Sequence, residues 1–164
     1  MDYLSHYDSP LGGITMASDG IGLVGLWFDG QKYFAEALDE KHEVLERHPV
    51  FDQTRQWLDA YFGGRIPDFM PSIVMRGTAF RRQVWEILLT IPYGATVTYG
   101  DIAKKLGIQS PQAVGGAVGH NPILLIVPCH RVVGADGSLT GYAGGLERKK
   151  WLVEWEERCS KSRS

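Results

Sequence analysis

The sequence predicts an α+β chain in two lobes: a small N-terminal lobe on an antiparallel sheet with helices, residues 1–75, and a mainly helical C-terminal lobe, residues 76–164, holding a helix-turn-helix and a thiol. Three observations predict it. Turn residues punctuate three short β-type runs near the N-terminus. Helix caps and helix stops recur between positions 78 and 119. Charge divides along the same line, since residues 1–75 hold 5 Lys/Arg against 12 Asp/Glu and the remainder 12 against 7.

The overall charge of −2 conceals that split, and the basic half permits a local phosphate-facing surface. A chain of 164 residues buries a real core and should fold unaided as a monomer. Two cysteines far apart in sequence make no disulfide framework, and no Cys/His cluster has zinc-ligand spacing, so a reducing compartment and no structural metal are expected. Met1-Asp2-Tyr3-Leu4-Ser5-His6 has neither a basic start nor a long apolar stretch. A cytoplasmic protein with no membrane partner follows as the expectation.

Tyr3–Tyr7, Ile14–Ser18 and Ile21–Phe28 read as strands of a meander, separated by Ser9-Pro10-Leu11-Gly12-Gly13 and Asp19-Gly20. Gly20, Gly22 and Gly25 spell G-x-G-x-x-G, but Leu26-Trp27-Phe28 continues the strand and leaves no helix to receive a phosphate, which excludes dinucleotide binding. Residues 31–46 are expected to start as a helix, with His42 and His48 as solvated groups without a role. Phe51–Phe62 places Trp57, Leu58, Tyr61 and Phe62 on helical spacing and stops at Gly63-Gly64. The stretch 65–77, with Pro67 and Pro71, reads as an extended connector.

In the second half, Thr78 caps a helix running to Thr90 that ends at Ile91-Pro92-Tyr93-Gly94. Thr98 opens another, with Asp101 three residues on and Gly107 as terminator. Ser110-Pro111 opens a third, with Ser as cap and Pro at the first helical position. The last two make a helix-turn-helix. The third helix, Gln112–Gly119, is built of Ala, Val and Gly, which allows close backbone approach to another surface but offers few side chains to base edges. DNA contact with little sequence specificity is the implied use. Leu146–Glu157 is the final helix, followed by Cys159, expected exposed, and the polar tail 161–164.

Between these helices, Ile123–Val127 is a run of five large aliphatic residues that predicts a short strand covered on both faces and stopped by Pro128. Cys129 would stand at its end. A cysteine of pKa about 8.5 attacks only as thiolate, so a base must lie within reach. His130 is adjacent, yet neighbours on a strand point to opposite faces, and a turn or a bridging water must connect them. A buried core thiol is the plain alternative.

Pro128-Cys129-His130-Arg131-Val132 resembles the signature of the O6-alkylguanine-DNA alkyltransferases, or methylated-DNA protein-cysteine methyltransferases. The likeness continues through Ile91-Pro92-Tyr93-Gly94, Tyr99, Val114-Gly115-Gly116-Ala117, Asn121-Pro122 and Tyr142-Ala143-Gly144-Gly145, covering about residues 76–157. The first 75 residues are similar only in length and layout.

The resemblance implies DNA repair in which a damaged guanine is rotated out of the duplex and its alkyl group passes to Cys129. O6-alkylguanine in double-stranded DNA is the implied substrate, with O4-alkylthymine beside it. Extrusion is physically required, because an alkyl carbon inside stacked DNA is out of reach of a side chain in line. His130 would hold the water that activates the thiol, and Glu156 would orient the histidine. Asn121 would tie the recognition helix to the cysteine segment. Tyr99 would crowd the phosphate beside the lesion, promote flipping and help to neutralise the departing base. Gln112, Ala113 and Gly115 would meet the DNA, and Val132, Tyr142 and Ala143 would line the pocket. Arg131 is grouped with them, with a structural pairing role. The thioether product has no good leaving group and is not reducible, so each molecule should act once. No cofactor, metal or external methyl donor is called for.

Two positions depart from the family pattern. Ala143 stands where many members carry Ser, so a hydroxyl bond to the O6 atom is absent. Gln112 stands where members commonly place an arginine that fills the space of the flipped base, and Gln lacks the charge and stacking of a guanidinium. The competing readings are a non-catalytic lesion-binding protein, which would lack the cysteine, a helix-turn-helix regulator and a cysteine hydrolase.

Overall fold

The computed structural model describes residues 1–161. They form two compact units: unit 1 is Met1–Arg76 together with Pro122–Leu124, and unit 2 is Gly77–Asn121 and the chain from Leu125 on. No helix among the described residues is long and apolar enough to cross a membrane.

Unit 1 is a four-stranded sheet of β1 (Asp2–Ser9), β2 (Gly12–Ser18), β3 (Leu23–Phe28) and β4 (His42–Val44), in the order β3-β2-β1-β4. The expected meander is there, with Tyr3 opposite Ser18 and Ile14 opposite Phe28. Helix α1 (Pro49–Phe62) buries Phe51, Trp57, Leu58 and Tyr61. The G-x-G-x-x-G glycines serve geometry, not phosphate. Gly20 sits in a turn at φ +94°, and a Cβ on Gly25 would collide with the Trp27 ring.

Two expectations for this unit are corrected. Residues 31–38 are serial turns and not a helix, because Tyr33 and Ala35 hold φ of 61° and 57°, in the left-handed region that breaks a right-handed helix. After them β4 pairs parallel with β1, Asp2 opposite His42. His48, given no role, is the N-cap of α1: its Nδ1 accepts from the Val50 N–H at 3.2 Å. In the connector, Val74 N–H donates to the Leu23 carbonyl and the Ser72 carbonyl accepts from Leu23 N–H, both at 2.8 Å, so it runs beside β3.

Unit 2 is built on capped helices. In α2 (Ala79–Leu88) the Thr78 hydroxyl accepts from Arg81 N–H, and the buried Trp85 indole donates to the Ala117 carbonyl at 2.8 Å. A two-residue strand β5 (Val97–Thr98) leads into α3 (Tyr99–Leu106), which a left-handed Gly107 at φ 69° ends. Helix α4 (Pro111–Gly119) follows with the Ser110 hydroxyl as cap, completing the helix-turn-helix. A 3-10 turn, Cys129–Arg131, passes into β6 (Val132–Val133), which pairs parallel with β5, and α5 (Leu146–Lys161) closes the unit.

The α3 cap is reciprocal: Thr98 Oγ1 accepts from Asp101 N–H at 3.0 Å, and the Asp101 carboxylate accepts from Thr98 N–H at 2.9 Å. Thr98→Ala removes one of these bonds and should cost about 1 kcal/mol in urea unfolding, with Thr98→Ser close to the native value. Equal stability of Thr98→Ala and native protein would show that the cap contributes nothing.

Two further expectations are corrected here. Ile123–Val127 is buried throughout but is no strand. Only Ile123 makes a bridge, to Leu26, after which the chain turns with Leu125 at φ 70°. An unbroken aliphatic run signals complete burial, and burial alone does not select an extended backbone. Cys159 is buried, 8% exposed, because α5 continues past Glu157 to Lys161 and carries it on the inner face. Residues 162–164 of the polar tail lie outside the described residues.

Candidate active site

Pro128 ends the aliphatic segment in an inverse γ-turn, φ −83° and ψ 66°, closed by Cys129 N–H on the Val127 carbonyl at 2.8 Å. The 3-10 turn begins at once, with Arg131 N–H on the Pro128 carbonyl at 3.0 Å. With three residues per turn, Cys129, His130 and Arg131 point in three directions from one backbone. All three are buried: Cys129 is 3% exposed and His130 0%.

His130 Nε2 lies 2.5 Å from Glu156 Oε2. Arg131 donates to the same carboxylate through Nε at 2.7 Å and Nη2 at 3.2 Å, and to the Ile91 carbonyl through Nη1 at 2.7 Å. Gly94 N–H adds a fourth donor at 3.2 Å. Burial alone would raise the Glu156 carboxyl, but His130 and Arg131 outweigh it and hold it well below the ordinary carboxylate range. Burial lowers the His130 imidazole against the pull of Glu156, so the ring is neutral. Its one proton sits on Nε2, facing the carboxylate, and Nδ1 keeps a lone pair that meets no protein donor.

Four groups from other segments surround the thiol. Asn121, just past α4, donates from Nδ2 to the Val127 carbonyl at 2.8 Å and also hydrogen-bonds Cys129. Lys149 on α5, wholly buried, donates from Nζ to the carbonyls of Thr140 at 2.7 Å and Gly141 at 3.1 Å. Tyr99, first residue of α3, donates its hydroxyl to the same Thr140 carbonyl at 3.1 Å, with Lys149 Nζ 6.0 Å from its ring. Tyr142 has a buried hydroxyl without a protein partner, and its charge couples to Cys129. Burial pushes the Cys129 thiol up to about 11, opposed by the Asn121 bond and the Lys149 charge. Burial also pushes Lys149 down to about 8, opposed by Cys129.

The remaining candidate residues lie on the outer side of α4 and in β6 and the loop before α5. Gln112 and Ala113 are exposed, and a Cβ on Gly116 or Gly119 would meet nothing within 4 Å, so α4 presents nearly bare backbone outward. A Cβ on Gly115 would stand 3.9 Å from the Tyr99 ring, in ordinary contact. Val132 is fully buried in β6, and Tyr142 and Ala143 are half-buried. Arg131 makes the pairing expected of it inside the unit, with Glu156, the Ile91 carbonyl and the Tyr93 ring, 5.6 Å from its guanidinium.

Lys149 is the residue that sequence reasoning missed. Lysines on a terminal helix are ordinarily solvated. The available signal was spacing: Lys149, Leu152, Glu156 and Cys159 recur every three or four residues and form the buried stripe of α5. Ile91 and Gly94 were read as a helix stop, and both also hold the Arg131–Glu156 pair by backbone groups.

Comparison with known proteins agrees with this geometry. Residues 79–158 match the 6-O-methylguanine DNA methyltransferase DNA binding domain, and residues 3–70 match the ribonuclease-like domain of the same family. The chain is 44% identical over 161 residues to a methylated-DNA--protein-cysteine methyltransferase of Mycobacterium tuberculosis, covering 93% of this chain and 92% of that protein. It is 42% identical over 158 residues to one from Methanosarcina acetivorans, covering 96% and 99%. Among solved structures it is similar to Mycobacterium tuberculosis OGT in complex with DNA, with a TM-score of 0.87 at 42% identity over 96% of this chain and 94% of that one.

Proposed function

This chain belongs to the 6-O-methylguanine DNA methyltransferase family, and on that premise we propose that it repairs O6-alkylguanine, and O4-alkylthymine, in double-stranded DNA by moving the alkyl group once and irreversibly onto Cys129. The observation that carries the reading is the buried thiol beside a neutral histidine whose far nitrogen is locked on a carboxylate. In this reading residues 1–75 are the supporting lobe, residues 76–164 carry DNA binding and transfer, and the protein acts as a cytoplasmic monomer.

The chemistry follows from the geometry. The Cys129 proton passes through a water to His130 Nδ1, and Glu156 stabilises the imidazolium that forms. The thiolate attacks the alkyl carbon, a C–S bond forms, and the C–O6 bond breaks with its electron pair left on the purine. Tyr99, turned from the Thr140 carbonyl, supplies the proton that neutralises the departing base and regains one from solvent, while the imidazolium of His130 returns to neutral by losing the proton that came from Cys129. The alkyl group comes from the lesion, so no other donor is consumed. The bare outer side of α4 suits close approach to a duplex in any sequence context.

Incubation with an oligonucleotide carrying O6-methylguanine tests the proposal. The intact protein should gain the mass of one methyl group, mapped to Cys129, with one lesion cleared per protein molecule. Lesion binding without a mass change would instead identify a non-catalytic lesion-binding protein, and several lesions cleared per molecule would rule out irreversible transfer.

Gln112 sets a second expectation. Gln112→Arg should speed transfer on duplex DNA several-fold and leave the reaction with free alkylated base unchanged, because the side chain acts on flipping and not on the thiol. The two rates measured side by side decide it, and no gain on duplex would count against the role given to Gln112.

A further inference from the structure

We infer that the Tyr142 hydroxyl is a third anchor, with Cys129 and His130, for the water through which the thiol gives up its proton. The inference deepens the proposed function by adding a positioning residue to its proton path. It starts from two side-chain polar atoms buried without a protein partner, His130 Nδ1 and the Tyr142 hydroxyl. Lys149, whose charge acts on Cys129, holds the Thr140 and Gly141 carbonyls immediately before Tyr142, and Tyr142 itself couples electrostatically to both Cys129 and Glu156, so its buried hydroxyl belongs to the same cluster of groups.

The three groups are chemically complementary. Nδ1 only accepts, the thiol donates before transfer and accepts after it, and a phenol does either. A buried water makes about three hydrogen bonds to otherwise unsatisfied polar groups, and these three atoms fill that number. The proton balance closes: S–H breaks as an O–H forms on the water, and another O–H of that water breaks as N–H forms at Nδ1. Tyr142 keeps its own proton throughout, in keeping with the burial and the Cys129 charge that push its ionisation far up. By donating into the water's oxygen, Tyr142 makes the water a stronger donor to Nδ1 and then to the thiolate.

Other groups facing Cys129 do different work. Asn121 bonds the sulfur directly, Lys149 contributes charge from α5, and Tyr99 is committed to the Thr140 carbonyl. Glu156 is saturated by His130, Arg131 and Gly94. None of these replaces a donor to the bridging water.

The test is the pH dependence of Cys129 carbamidomethylation by iodoacetamide in the full chain without DNA, with peptide mapping to separate Cys129 from Cys159. Tyr142→Phe keeps the ring and removes only the hydroxyl. Its profile should move about one pH unit upward, so that Cys129 reacts roughly tenfold more slowly at pH 7 than in native protein. In a His130→Gln background the same substitution should change little, because the water is no longer held. A Tyr142→Phe profile superimposable on the native one overturns the inference, as does an effect seen only with alkylated DNA, which would assign the hydroxyl to the base. Should Tyr142→Phe not fold, a crystal structure of the native protein decides. A water within about 3.2 Å of His130 Nδ1 and the Tyr142 oxygen, and within hydrogen-bonding reach of the larger Cys129 sulfur, supports the inference, and one bonded only to Cys129 and His130 overturns it. Because the readout needs no alkyl transfer, a native protein that still gains a methyl from DNA separates failure here from failure of the proposed function.

Discussion

Cys129→Ser protein should take up no alkyl group from damaged DNA, with transfer slowed by at least about 10⁴-fold, while its fold and its affinity for duplex DNA stay close to native. The substitution is nearly isosteric in a fully enclosed position, so little packing is lost. The chemistry is lost because an alcohol ionises far less readily than a thiol, and a neutral imidazole cannot draw off its proton without further help. Intact-mass measurement after incubation with the lesion, with a mobility-shift titration alongside, separates the two properties. Lesion removal by the serine variant would mean that another nucleophile does the work.

Glu156→Ala should be the most destabilising single change in unit 2, costing about 3–5 kcal/mol in denaturant unfolding, because it strands the buried Arg131 guanidinium and the His130 ring together. Transfer should fall with it, since nothing would then hold the proton of His130 on Nε2. Glu156→Gln, which still accepts hydrogen bonds, should lose less stability and more activity in proportion. The acid side gives an independent check. The folded carboxyl is held below its unfolded value, so its contribution is complete above the ordinary carboxylate pKa of about 4.3 and is lost as pH falls below it. The stability gap between native and Glu156→Gln protein should therefore be widest near neutrality and narrow progressively below about pH 4. A gap independent of pH would show that the ionised carboxylate is not what holds the pair.

What was legible in the sequence was local. Thr78, Thr98 with Asp101, and Ser110-Pro111 announce helix starts within four residues of themselves, and each caps the helix expected of it. Strand β4 was hidden because His42-Glu43-Val44 is exposed at all three positions and carries no alternation to read. The aliphatic run before the thiol disclosed its burial and concealed its turn at Leu125, since a buried turn and a buried strand need the same side chains. In the site, Cys129 and His130 stood out through their pentapeptide, and the adjacency problem they posed is met by a γ-turn leading into a 3-10 turn. Lys149 was missed because a charge in sequence is read as a surface group until its partner is known, and its partners, the Thr140 and Gly141 carbonyls, are backbone atoms that no residue type advertises.

The return of Pro122–Leu124 to unit 1 has a consequence for how this chain is divided by recombination or by engineering. Leu26 receives the Pro122 carbonyl on its N–H at 2.8 Å and offers its own carbonyl to Leu124 N–H at 3.0 Å, five residues ahead of the thiol. A fragment beginning after residue 76 would carry those two peptide groups and the Ile123 and Leu124 side chains with nothing to receive them. A cut that keeps the amino-terminal sheet whole must therefore carry Pro122–Leu124 with it, more than forty residues beyond the end of its own continuous stretch.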